Sequence, residues 1–222
     1  MAVPGDMTLT TLKGTFSVNK KLSDKLDDLF RLQSVPYIAT KVSGMATIQL
    51  DVTVLPVDSA TSTSERGVVS PRGSVFQITM KQTFTAIGPL GLAPLKAIGL
   101  APTRTETRVL DGGEFRDNEA AIGPIKGRWW LTTVDEVLLD ACLDTFHKNA
   151  SWSRCRDVIR ISVRSQRTDK DKAWSAEHMW SLEDYSQGLG QDLRYTARLM
   201  TWRGSGEARE VAQVKLVHDF IN

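Results

Sequence analysis

A chain of 222 residues is long enough for one large domain or two small ones, and all-β barrels of this length commonly form a single unit. Its 28 Lys and Arg balance 26 Asp and Glu, with the cations scattered instead of gathered into blocks that would neutralise a phosphate backbone, so nucleic acid is not an expected partner. No apolar run approaches the ~20 residues of a membrane span, and the opening Met1-Ala-Val-Pro-Gly-Asp6 lacks the charged and apolar regions of a secretory signal. One soluble, cytoplasmic domain over residues 1–222 is expected.

Cys142 and Cys155 stand in neither a metal-binding nor a redox spacing and read as free thiols, with pairing the alternative in an oxidising compartment. Residues 1–9 carry no periodicity and are expected as a loose arm. Leu12 to Val18 then alternates apolar with polar, as a half-buried strand does. Ser23 is placed to cap a short helix to Gln33, with acidic residues in the first turn and Leu26, Leu29, Phe30 and Gln33 on one face. Pro36 opens a second helical turn through Tyr37 to Val42, stopped at Gly44.

From Met45 to Val54 the residues Ala46, Ile48, Leu50, Val52 and Val54 alternate with polar partners, the clearest two-residue period in the chain. A polar connection over 58–67 leads to a strand from Val75 to Thr85, with Phe76, Ile78, Met80 and Phe84 opposite Gln77, Thr79, Lys81 and Thr83. Which of these faces is interior is left open by a single strand. Residues 87–102 are apolar but broken by Gly and Pro, with Gly-Leu-Ala-Pro occurring twice; the stretch reads as a lid or partner surface, or as core-packing turns.

Thr103 to Leu110 reads as a solvated strand ending at an Asp111-Gly-Gly113 turn. A strand within Glu119–Val134 carries Trp129 and Trp130 on opposite faces, so one of the two looks inward. Leu139, Cys142, Leu143 and Phe146 take helical spacing. Strands follow at Asp157–Arg164, Ala173–Ser181, Leu193–Trp202 and Arg209–His218. Eight or nine antiparallel strands with helices in two places predict an all-β fold, a closed or nearly closed barrel that encloses side chains or one small ligand.

The chemistry-bearing residues are few. His147, His178 and His218 are not spaced for a metal; no nucleophile elbow and no dinucleotide fingerprint occurs, so neither metal nor cofactor is expected. On the strand from Trp174, the residues Trp174, Ala176, His178 and Trp180 share a face; the next offers Tyr195 and Ala197 opposite Thr196, Arg198 and Trp202. Aromatic bodies with polar tips suit a pocket for a ring-shaped, mostly hydrocarbon molecule. The candidate polar groups are His178, Tyr195, Arg198 and Lys81, and the candidate walls are Trp180, Trp130, Phe76, Trp174 and Tyr37. The plainer reading makes Trp174 and Trp180 core fillers, and Arg198 and Lys215 cross-strand partners of Glu177 and Glu183.

Gly14-Thr-Phe-Ser-Val-Asn-Lys-Lys-Leu-Ser-Asp24, Leu32-Gln-Ser-Val35, Trp174 to Glu183, Arg194-Tyr-Thr-Ala-Arg198 and Lys215 to Phe220 together resemble a fungal lipocalin-like (calycin) family. Gly14-x-Phe16 is similar to the calycin Gly-x-Trp signature, with Phe in the Trp position. The resemblance implies a calycin barrel with a helical cap near its opening. It also implies an activity like that of cofactor-free hetero-Diels–Alderases, which join a tropolone o-quinone methide to a humulene-type sesquiterpene. A pericyclic reaction needs no nucleophile, only near-attack geometry and a hydrogen-bond donor for the quinone methide carbonyl. Substrates of polyketide and terpenoid type are then expected. Two other readings stand beside it: a carrier of a hydrophobic small molecule, and an interaction protein whose 87–102 loop docks a partner or a second copy as a homodimer.

Overall fold

The computed structural model describes residues 1–37, 40–41, 45–57, 74–85, 101–119, 122–140, 145–148, 156–169, 172–186, 192–205 and 208–222. Ten strands form one antiparallel sheet: β1 (Lys13–Val18), β2 (Thr47–Val57), β3 (Val75–Thr85), β4 (Thr103–Val109), β5 (Asp111–Glu119), β6 (Gly123–Thr133), β7 (Asp157–Ser165), β8 (Trp174–Asp184), β9 (Leu193–Arg203) and β10 (Glu210–Phe220). Their order is β4-β3-β2-β1-β10-β9-β8-β7-β6-β5. The first strand therefore joins the two halves of the chain, with Phe16 opposite both Leu50 and Phe220. Gly14 permits that junction, since a Cβ there would lie 2.5 Å from the Phe220 ring.

This is the nearly closed antiparallel barrel that the alternation predicts, with one or two more strands than expected. Among the described residues β4 and β5 share no backbone ladder. Side chains bridge them: Arg108 pairs with Asp117 at 3.2 Å and lies 4.4 Å from the Phe115 ring centre, and Arg104 stands 3.7 Å from Asp117.

Residues 1–9 are tied down where a loose arm was expected. The Val3 N–H donates to the Leu193 carbonyl and Met1 accepts from the Phe220 N–H, while Leu9 and Leu12 flank a 3-10 turn and are fully buried. This turn packs on both β2 and β7. Its apolar side chains join Val54, Ile78, Leu110 and Ile159 in a solid core that fills one end of the barrel. Each such side chain contributes roughly 1.5–3 kcal/mol by leaving water.

Helix α1 (Asp27–Leu32) packs on β9 and β10, its Leu29 and Leu32 clustering with Leu199, Ala212 and Val214. It begins later than Ser23 predicts. The Ser23 hydroxyl is engaged by β10 instead, accepting from the Val217 N–H at 2.8 Å, so tertiary pairing displaces the local cap. Beyond α1, the Pro36 carbonyl accepts from the Thr40 N–H.

Asp111-Gly-Gly113 is the start of β5 and not a turn between strands. The Gly113 N–H donates to Asp111 Oδ1 and Gly112 takes φ 78°, which makes an irregularity of register at the head of the strand. Helix α2 (Val134–Leu139) starts five residues before the expected helix. Thr133 accepts from the Glu136 N–H while the Glu136 carboxylate accepts from the Thr133 N–H, a capping box. A short α3 (Thr145–Lys148) follows. Cys142, Leu143, Cys155, Gly44, the 58–67 connection and residues 87–100 lie outside the described residues. Among the described residues no helix is long and apolar enough to cross a membrane.

Candidate functional site

Beside the solid core the barrel holds a cavity of about 330 Å³ that opens to solvent on one side. Its walls come from every side of the sheet: Ile48 and Leu50 on β2, Met80 and Phe84 on β3, Ile125 and Trp129 on β6, and Ile161 and Val163 on β7. Trp174, His178 and Trp180 line it from β8, Leu199 from β9, and Leu216 and His218 from β10. Helix α1 supplies Leu26, Leu29, Phe30 and Gln33, the four positions that its helical spacing predicts on one face.

Strict alternation explains why these side chains converge. On β8 the residues Trp174, Ala176, His178, Trp180 and Leu182 point inward, and across the ladder His178 meets Ile161 on β7 and Leu199 on β9. Trp180 lies 5.2 Å from the Tyr195 ring centre and is stacked 5.7 Å from that of His218. Phe16 continues this cluster at 5.1 Å from Tyr195.

His178 keeps some surface, but what it keeps faces the cavity, and burial lowers its pKa to about 4, with the charge of His147 adding to the effect. His218 is also lowered to about 4 by burial, against the opposing effect of its Nδ1 hydrogen bond to the Tyr195 carbonyl at 3.0 Å. Both rings are neutral at pH 7. Burial pushes the Tyr195 hydroxyl upward, so it stays protonated. Among the described residues, His178 Nε2, the Tyr195 hydroxyl and the indole nitrogens of Trp129, Trp174 and Trp180 are buried without a hydrogen-bond partner.

The expected site residues divide. His178, Trp174 and Trp180 line the cavity, and Tyr195 packs beneath Trp180 as fully buried core. Phe76 packs against the solid core, away from the cavity lining. Trp130 points outward, its ring 5.0 Å from the Arg160 guanidinium; Trp129 is the inward member of the pair. Lys81 is on the outer face, 4.0 Å from Asp51, and Tyr37 is 72% exposed beside Lys41.

Arg198 also faces outward. Its Nε and Nη2 each donate to the Glu183 carboxylate at 2.9 Å and its Nη1 donates to the Phe146 carbonyl of α3, so it clamps helix to sheet in the manner of the plainer reading. A donor on the wrong face of its strand cannot reach an enclosed ligand.

Alternation on β10 places His218 with Ala212, Val214 and Leu216, and the same pattern through Ile125, Gly127, Trp129 and Leu131 marks Trp129. Both signals were available, and neither residue was among the expected site residues. Strand β4 gave no such signal. Its charged side chains Arg104, Glu106 and Arg108 are the inward set, contrary to a solvated strand, and Arg104 and Glu106 reach the cavity. Glu106 and Asp117 together neutralise the two arginines: Arg108 contacts Glu106 at 2.8 Å and Arg104 contacts it at 3.6 Å. Among the described residues, no cluster of His, Cys, Asp and Glu is arranged to hold a metal ion.

No protein-family model matches the chain, and no curated protein does. Solved structures resemble it in shape. A Schistosoma mansoni fatty acid binding protein in complex with arachidonic acid aligns over 97% of this chain and 100% of its own, at 9% identity and a TM-score of 0.47. The fatty-acid-binding protein of Manduca sexta aligns over 93% and 98%, at 10% identity and 0.46. Human cRBP IV aligns over 95% and 98%, at 10% identity and 0.40. At such identities the ligand has to be argued from the lining of this cavity.

Proposed function

We propose that the protein binds one hydrophobic small molecule inside its barrel. The observation that carries this reading is the cavity of about 330 Å³, walled mostly by aromatic and aliphatic side chains with a few polar groups and the Arg104–Glu106 pair among them. That volume falls in the ~300–1,000 Å³ range of small-molecule sites, and the composition is theirs as well. Titration with the neutral fluorophore N-phenyl-1-naphthylamine tests it. Saturable, blue-shifted emission is expected, and Met80→Trp, which fills the cavity from β3, should weaken it about tenfold or more. Emission that never saturates, or that ignores the filled cavity, would refute internal binding.

A catalytic reading has one observation in its favour. His178 and His218 lie on the wall of a largely apolar cavity, where a hydrogen-bonding group can act on a bound carbonyl. Its concrete form is the hetero-Diels–Alder addition of a tropolone o-quinone methide to a humulene-type sesquiterpene. The volume favours binding over this, because a cycloaddition must seat two reactants together in a space near the lower limit for one ligand. Chiral chromatography of the adducts decides: a product ratio equal to that of the uncatalysed reaction removes the catalytic reading.

A further inference from the structure

We infer that the cavity selects neutral, hydroxyl-bearing hydrophobic molecules over carboxylates, with the hydroxyl docked at the wall formed by Trp180 and His218. This rests on the binding function proposed above and names the class of ligand.

The first support is a balance of charge. Among the described residues, the charged side chains that line the cavity are Arg104 and Glu106, and with Arg108 and Asp117 they make two cations against two carboxylates. Each arginine already contacts both acids. A ligand carboxylate would have to displace one of these partners and surrender its own hydration, whereas a neutral group avoids both penalties.

The second support is a fixed tautomer. A backbone carbonyl only accepts, so the 3.0 Å contact between His218 Nδ1 and the Tyr195 oxygen places the proton on Nδ1. His218 Nε2 is left with a lone pair, on a ring that lines the cavity. Such an atom is satisfied by an O–H and repelled by a carboxylate.

The third support is the set of groups nearby. A hydroxyl accepts as well as donates. Trp180, whose ring is stacked 5.7 Å from that of His218, has an indole N–H that is buried and without a partner among the described residues, and it complements the oxygen once His218 accepts the O–H. Gln33 and Gln82, the remaining amides of the lining, are neutral too.

The test displaces N-phenyl-1-naphthylamine from the full chain at pH 7.5 with three ligands matched in length: 1-dodecanol, its methyl ether and dodecanoate. The alcohol should bind about tenfold or more tightly than dodecanoate, with the ether between them because it accepts but cannot donate. His218→Phe should erase the difference between alcohol and ether. The ligand series needs no variant, so misfolding of His218→Phe leaves the outcome intact. Dodecanoate binding as tightly as dodecanol, or an ether equal to the alcohol, overturns the inference alone. Failure of the probe to bind at all overturns the binding function with it.

Discussion

Replacing Glu183 by alanine separates a structural clamp from a ligand contact. The Glu183 side chain is 1% exposed and that of Arg198 10%, and the carboxylate accepts from Arg198 Nε and Nη2 at 2.9 Å each and from the Thr196 hydroxyl at 2.7 Å. Its removal strands a buried guanidinium, while the Thr196 hydroxyl keeps Ser181 as a partner at 3.2 Å, and the loss costs about 3–5 kcal/mol. With a urea dependence of about 2 kcal/mol per molar, the unfolding midpoint should fall by roughly 2 M, read by circular dichroism. Paired replacement Glu183→Leu with Arg198→Met should recover most of the loss, since no charge is then left alone. Affinity for the naphthylamine probe should change by less than about twofold, because the pair lies outside the barrel. A Glu183→Ala variant within about 1 kcal/mol of the parent refutes the clamp, and one that folds normally but loses the probe returns Arg198 to the ligand site.

The histidines set a pH dependence. Burial holds His178 and His218 at about 4 when folded, against about 6.5 for a free imidazole, so the unfolded chain gains protons first as the pH drops. Stability should be full above about pH 6.5 and fall toward pH 4, by about 2 kcal/mol per pH unit for the two rings near pH 5.5; a flat urea midpoint between pH 6.5 and 5 contradicts their burial. Gly127→Ala would place a Cβ 2.4 Å from the Ser162 carbonyl and 2.7 Å from the Phe115 ring, backbone and core that cannot both withdraw. A loss of about 2 kcal/mol or more is expected in urea unfolding, and parent-like stability would show that β6 and β7 yield there. Thr133→Ala removes the cap of α2 and should lower stability by about 1 kcal/mol; no change in the midpoint would mean that the helix is held by Val134 and Val137 alone.

Much of the barrel is legible in residue alternation, because a strand with one wet face must repeat every second residue. The pocket side of β8 follows from the same rule, and the inward face of α1 from the helical spacing of Leu26, Leu29, Phe30 and Gln33. Direction is what alternation leaves unresolved when both faces are polar. Arg104, Glu106 and Arg108 alternate with threonines, and nothing local says that the charged set turns inward to neutralise itself. Arg198 has the donor of a binding residue, but its alternation partner Tyr195 took the interior, and one strand cannot send both there. Tyr37 and Lys81 were chosen by residue type alone, which carries no face. The arm at Val3 and Leu9 is aperiodic because a 3-10 turn packed across the end of a barrel has no period to display.

The missing ladder between β4 and β5 makes the barrel a split ring instead of a hoop. Elsewhere, widening the wall means breaking main-chain hydrogen bonds. At the split it means separating Arg104 and Arg108 from Asp117 and lifting a guanidinium off Phe115. Partly exposed ion pairs of this kind are worth about 1 kcal/mol or less each and weaken as salt is added. The girth of the ring therefore depends on ionic strength at one junction, while its curvature elsewhere is held by the peptide backbone.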